Sequence, residues 1–183
     1  MKLINHFSTI TRHKIEVMKN CFRSGLYWQG ITHDLSKYSP TEFLRGVKYY
    51  QGNKSPNDAE RRETGMSRAW LHHKGRNKHH FEYWIDYDLS SGGKIAGLEM
   101  PVNYVVEMVC DRIAACKIYK KDEYTDSSAL EYFEYSKGKY IMHPETEKLL
   151  RKLLVMLAEE GEDVLFDYMK YVLLKKGRKG NSK

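Results

Sequence analysis

Cysteine is scarce in this chain. The three residues, Cys21, Cys110 and Cys116, are odd in number and include no C-x-x-C pair. That argues against a disulfide framework and for a reducing compartment, so a cytoplasmic protein is expected. Long apolar runs are missing too: none approaches the roughly 20 residues that a bilayer-crossing helix needs, so no membrane partner is expected. The opening "MKLINHFSTITRHK" lacks the basic-then-apolar pattern and small-residue cleavage site of a secretory signal. There is no internal repeat and no convincing alternation of strand type, which leaves an all-α reading. At 183 residues, 41% apolar and 30% charged, the chain suits one globular domain.

Helical patterns dominate what is present. Leu3, Phe7, Ile10, Ile15, Val17, Met18 and Phe22 recur at helical spacing over Lys2 to Arg23, with Gly25 as the stop. A short helix is expected from about Tyr27 to Leu35. In "SPTEF", Ser39 caps, Pro40 suits the first helical position and Glu42 completes a capping box. That helix should turn Phe43, Val47 and Tyr50 inward and end before Gly52. The polar stretch from Asn53 to Gly65 contains "SPND", a turn or second cap. Helices are expected over Ser67 to His73 and again from near Lys78, the latter presenting Phe81, Tyr83 and Trp84. "SSGGK" is a loop. Pro101 to Lys120 reads as one buried helix carrying Val102, Val105, Val106, Val109, Ile113 and Ala114. Asp126 should cap a helix to Ser136. Pro144 opens another to Glu160, and Gly161 separates it from a last one, Asp163 to Lys175.

The charge is uneven. The net charge is +7, partly in a basic tail at 177–183 and partly in Arg61, Arg62, Arg68, Lys74, Arg76 and Lys78. Such a rim attracts an anion: a phosphate ester, a nucleotide or, secondarily, nucleic acid. These residues surround His72, His73, His79 and His80, half of the eight histidines within nine residues. Three further features invite chemistry. His33 and Asp34 are adjacent, so they cannot share one helical stripe, but they can bind two neighbouring metals or one metal at the inner edge of a helix; Asp34, with two oxygens, can bridge. His13 lies on the first helix. Asp111 sits in an otherwise buried helix, where an acidic group is costly unless paired or metal-bound. His72 and His80 can add neutral imidazoles, with Gly75 bending the backbone between them. The mixture suits Mn, Fe, Co, Ni or Zn, with Mg less at home.

The order of His13, His33–Asp34, the paired histidines and Asp111 resembles the HD-domain metal-dependent phosphohydrolase superfamily. "HDLSK" resembles that family's HD-x-x-K, which makes Lys37 the counterpart of its phosphate-facing lysine. "HHKGR" is similar to the His-x-x-Gly-Arg stretch of HD-type nucleotide hydrolases, implying His72 as the ligand. "HHFEYW" is similar to the double-His stretch of HD-type cyclic-dinucleotide phosphodiesterases, implying His79 and His80. "CDRIAA" resembles the family's Asp-containing helix and matches Asp111. The Gly-Tyr-Pro element of the cyclic-dinucleotide enzymes is absent. No histidine lies between Asp34 and His72, so either two of the four clustered histidines complete a second metal position or the site holds one ion.

The resemblance implies an all-α, HD-domain-like helical bundle over 1–176. Its metal-binding core would span about 3–120 and its C-terminal helices about 126–176. The implied ligands are His13, His33, Asp34, His72, His80 and Asp111, holding one or two divalent transition-metal ions. Asp34 would orient or bridge, Lys37 and Arg76 would neutralise the substrate phosphate, and His73 or His79 would protonate the leaving oxygen. The substrate would be a nucleotide or small phosphate ester. Two other readings compete: a di-iron oxygenase on an HD-like fold, and a non-enzymatic basic module binding nucleic acid or a partner.

Overall fold

The computed structural model describes residues 1–52, 54–136 and 138–175; the expected basic tail, 177–183, lies outside them. The architecture is an all-α helical bundle. Its centre is α6 (Val102–Lys120), buried continuously from Val105 to Cys110. A helix whose apolar residues occupy more than one face belongs inside, packed on several sides. One side meets α8 (Pro144–Asp167), whose Leu150, Leu153, Leu154 and Leu157 are wholly shielded from water. Their 3- and 4-residue spacing puts them on one stripe, each contributing roughly 1.5–3 kcal/mol by burial. Phe133 of α7 (Ser128–Ser136) joins the same core.

The other side of α6 meets α1 (Lys2–Arg23). The inward face of α1 is more polar than its apolar periodicity suggests. His6, Ile10, His13, Val17, Asn20 and Cys21 are buried, whereas Leu3, Phe7, Ile15 and Phe22 stay exposed. Asn20 donates to the Cys110 carbonyl at 3.1 Å, which satisfies a buried amide across the α1–α6 contact.

The chain leaves α1 through a glycine cap. Gly25 has φ +82°, Leu26 N–H donates to the Cys21 carbonyl at 2.8 Å, and Gly25 N–H donates to Phe22 at 3.0 Å. This paired arrangement closes a helix on a left-handed glycine and reverses the chain at once. It delivers α2 (Tyr27–Thr32) back against α1, with Gly30 so close that a Cβ there would stand 2.9 Å from Cys21 Cβ.

Serine caps with proline at the first position open α3 (Pro40–Lys48) and α4 (Pro56–Thr64). Ser67 Oγ accepts from Trp70 N–H to open α5 (Arg68–Lys74). Glu60, 1% exposed, locks these three helices together: it takes Arg45 at 2.7 Å and Ser67 Oγ at 2.6 Å.

Several expectations are corrected. Of the two readings of "SPND", the structure takes the cap: Ser55 Oγ accepts from Asn57 N–H to open α4. The buried face of α3 is Glu42 and Gly46, followed by Tyr49, while Phe43, Val47 and Tyr50 are only half-buried. Ser39 Oγ does accept from Glu42 N–H, but the Glu42 carboxylate is engaged elsewhere. The segment after Lys78 forms a short 3-10 turn, Phe81–Trp84, and then an antiparallel hairpin of β1 (Ile85–Asp88) and β2 (Lys94–Gly97). Four-residue strands whose half-buried residues are the two ends of β1 and two neighbours in β2 leave no period-2 signal. Asp126 accepts from the Tyr124 hydroxyl instead of capping α7. Gly161, by contrast, does divide two helical stretches within α8, at φ +84° and ψ 176°, as its position leads one to expect.

Replacing Gly30 with alanine should destabilise the fold by about 1–3 kcal/mol, because Cys21 and Phe22 cannot both retreat. That outweighs the roughly 1 kcal/mol of helix propensity alanine gains. Urea unfolding of Gly30→Ala checks it; a midpoint at or above that of the parent protein would show that α1 and α2 are not so closely packed.

Candidate metal centre

The adjacent His33 and Asp34 both face inward because the helix stops between them and their predecessors. α2 ends at Thr32, His33 is extended (φ −50°, ψ 127°), and Asp34 is left-handed (φ 53°, ψ 25°). Successive helical residues would point about 100° apart; this break leaves each residue 2% exposed. A left-handed non-glycine residue costs on the order of 1 kcal/mol, and aspartate is among the few that tolerate it. Lys14 Nζ secures the turn by donating to the carbonyls of Ile31 at 2.7 Å and His33 at 2.8 Å.

Two sets of ligand atoms converge on the two oxygens of Asp34. The first joins α1, α2 and α6: His13, His33, Asp34 and Asp111. His13 Nε2 lies 2.9 Å from Asp111 Oδ1, and His33 Nε2 lies 3.3 Å from Asp34 Oδ2 and 3.6 Å from Asp111 Oδ1. The second is Asp34 with His73, His79 and His80. His73 Nε2 and His79 Nε2 lie 3.3 and 3.5 Å from Asp34 Oδ1, and His73 Nε2 lies 2.9 Å from His80 Nε2. Ligands about 2.0–2.2 Å from a shared cation stand about 2.9–3.5 Å apart around a tetrahedral or octahedral centre, close to these separations. Among the described residues, buried atoms without a hydrogen-bond partner concentrate here: His13 Nε2, His33 Nε2, His79 Nε2 and both oxygens of Asp34. Such orphaned lone pairs are costly unless a cation takes them.

An outer layer of carboxylates sets the imidazole tautomers. Glu107 Oε1 stands 2.9 Å from His33 Nδ1 and 3.2 Å from His79 Nδ1. Glu42 holds His72 Nδ1 at 2.6 Å and His73 Nδ1 at 2.8 Å. A proton kept on Nδ1 by a carboxylate leaves the Nε2 lone pair free for a metal. Trp70 stacks on His73 at 5.6 Å and meets His80 edge-on at 4.8 Å.

The charges are strongly coupled. Burial would depress the His33 imidazolium, but Asp34, Asp111 and Glu107 outweigh it and hold the group well above its ordinary value. Burial would raise Asp34 and Asp111; their histidine neighbours, with Lys37 beside Asp34, keep both well below the usual carboxylate range. Burial likewise opposes Glu107, yet hydrogen bonds from His33 and His79 bring it to about 2. Burial lowers His13, aided by Lys37, and lowers His80 strongly, aided by His79 and His73. Lys37 Nζ sits 2.6 Å from Asp34 Oδ2, and its side chain is 29% exposed. With Asp111 at 17% it marks the edge of the site that water reaches.

The placement differs from the sequence reading at several positions. His13, His33, Asp34, His80 and Asp111 come together. His72, expected among the ligands, lies outside the groups; α5 turns His73 inward in its place and leaves His72 on Glu42. His73 and His79, expected as acids, stand beside Asp34 as further ligand atoms. Arg76, expected at the substrate phosphate, is exposed and donates to the His72 carbonyl at 3.3 Å. Glu42 and Glu107 went unforeseen. Glu107 had a legible signal, since it lies one helical turn before Asp111 in the same apolar stretch. A surface cleft of about 440 Å³, lined by Lys2, Lys48, Tyr49 and Arg62 among others, shares no residue with the site.

Compared with known families, residues 2–156 match DUF5662, described as a family of unknown function. The chain belongs to this family. The stretch matched to DUF5662 contains every residue of the convergent groups, from His13 to Asp111. No curated protein and no solved structure gives a match. The family's description carries no activity, so the chemistry has to be read from the geometry.

The carboxylates around His33 raise its proton affinity above the ordinary imidazole value, so a metal competes with a proton for its Nε2. Affinity should therefore rise with pH from acid up through the raised His33 value, and binding near neutral pH should release protons. Calorimetry of Zn(II) or Co(II) binding in buffers of different ionisation enthalpy checks this; an enthalpy independent of buffer would contradict it.

Proposed function

We propose that this chain is a metal-dependent phosphohydrolase of HD type, acting on a nucleotide or a small phosphate ester, with one divalent ion on each side of Asp34. The observation that carries the reading is the division of labour at that carboxylate: Oδ2 faces His33 and Oδ1 faces His73 and His79. Charge supports a divalent ion. Asp34, Asp111, Glu42 and Glu107 lie near two ammoniums, Lys37 and Lys14, which leaves about two uncompensated negative charges when the histidines are neutral. One divalent cation balances them; the case for a second is the geometry, with a set of ligand atoms on each oxygen of Asp34. The imidazole-rich sets favour Mn, Fe, Co, Ni or Zn over Mg.

Bound in this site, such ions would supply Lewis acidity, polarising a phosphoryl oxygen and acidifying a water. The residues of the chain do the rest. His13, His33 and Asp111 on one side, and His73, His79 and His80 on the other, fix the two positions around Asp34. Lys37, at the edge that water reaches, neutralises the phosphate as it enters and as its charge redistributes. With His73 and His79 read as ligands, neither protonates the leaving group. The exposed arginines Arg62, Arg68 and Arg76 are dispersed over α4, α5 and the following turn, which gives the nucleic-acid reading little support.

Purified protein should contain a transition metal by elemental analysis, and screening phosphorylated metabolites with added Mn, Co or Ni should reveal phosphate release that EDTA abolishes. His33→Ala and Asp111→Asn should each lose metal and lower the rate by roughly 100-fold or more. Full metal content in both variants would end the metal reading. Oxygen consumption by iron-loaded protein without phosphate release would move the assignment to the di-iron oxygenase. Separately, Lys37→Met should keep its metal while KM rises about tenfold, as loss of one charge-assisted contact requires; an unchanged KM would remove Lys37 from the phosphate.

A further inference from the structure

The outer carboxylates are not equivalent. Glu42 supports His73 and, through its other oxygen, His72, which belongs to neither set. Glu107 supports one ligand of each set. Its single oxygen Oε1 meets His33 Nδ1 at 2.9 Å and His79 Nδ1 at 3.2 Å, and those rings lie 4.4 Å apart at an angle of 36°. The far nitrogens of the same rings diverge: His33 Nε2 lies 3.3 Å from Asp34 Oδ2 and His79 Nε2 lies 3.5 Å from Asp34 Oδ1. Glu107 is itself fixed. It is 5% exposed, and its Oε2 accepts from Gln29 Nε2 at 2.6 Å, while Asn103 Nδ2 donates to Gln29 Oε1 at 3.1 Å.

We propose that Glu107 is a positioning residue shared by the two metal positions, so that the occupancy of one is tied to the other through a single carboxylate oxygen. This rests on the two-ion reading above. His33, Glu107 and His79 also form a group able to hold an ion of their own. That arrangement would consume both Nδ1 lone pairs and leave protonated Nε2 atoms pressed into a site lined by other imidazoles. Hydrogen bonding at Nδ1 instead frees both Nε2 atoms, which are among the buried atoms without a partner. Because a carboxylate oxygen can accept both N–H groups at once, the orientation of His33 and of His79 has one common determinant. Glu42, by contrast, acts on one side only and serves as the internal control.

The test is a Co(II) titration of the full chain, followed by calorimetry and by the visible ligand-field bands of cobalt. Glu107→Ala should weaken both binding steps by about 10- to 100-fold and alter the bands of both ions, with partial recovery in Glu107→Gln, which keeps an acceptor oxygen. Glu42→Ala should weaken one step only. Far-UV circular dichroism establishes that each variant folds, and should Glu107→Ala fail to fold, Glu107→Gln decides through the same two steps. The proposal is overturned if the Glu107 variants disturb one step or neither, or if Glu42→Ala disturbs both equally. A parent protein that takes up fewer than two cobalt ions overturns it together with the two-ion reading. Coupled cobalt binding without hydrolysis of any phosphate ester leaves the role of Glu107 standing and defeats only the proposed activity.

Discussion

A nearly dry carboxylate faced by imidazoles on both sides sets the terms for this molecule. Asp34 is 2% exposed, and neither of its oxygens has a hydrogen-bond partner of good geometry, although Lys37 approaches one at 2.6 Å. An uncompensated buried carboxylate costs several kcal/mol. Around it the chain assembles what lowers that cost: a left-handed turn that aims it, Lys14 capping the carbonyls behind it, and histidines whose Nε2 lone pairs need the same remedy. A cation lying between them would make these groups mutually consistent, and their ligand atoms lie close enough together to hold one.

The helix α6 is where this polar site meets the stability of the fold. Asn103, Glu107 and Asp111 recur every four residues and form one polar stripe; Val105, Val109 and Ile113 form another, wholly buried. The apolar stripes pack toward α8 and α7, the polar one toward α1, α2 and the histidines. Buried continuously from Val105 to Cys110, α6 cannot rotate or shift without disturbing both. That rigidity suits a site whose ligands must be held to within a fraction of an ångström.

Much of this was legible in residue spacing. Serine and proline caps announced α3, Gly25 announced a stop and Gly161 a division between two helical stretches, because each depends on local chemistry alone. The inward face of α1 was less visible, since its buried histidines and asparagine are chosen by the site and its exposed Phe7 and Ile15 carry the stronger apolar signal. The choice between His72 and His73 was invisible. Neighbours on a helix point about 100° apart, and which one faces inward depends on how a seven-residue helix enters the bundle. Glu42 was misread for a related reason: a capping box and a tertiary contact compete for one side chain, and the two histidines of α5 prevail.

The extent of the family match sharpens the division between site and scaffold. It begins at residue 2, ahead of His13, and stops at residue 156, after Leu150, Leu153 and Leu154 have been laid against α6 but before the kink at Gly161. The stretch therefore contains the convergent polar groups together with most of the leucine stripe that braces their central helix. A site built from orphaned acceptors and a left-handed aspartate is a net cost to folding. The apolar contact between α6 and α8, where Leu150, Leu153, Leu154 and Leu157 are wholly buried, is a part of the chain able to offset it.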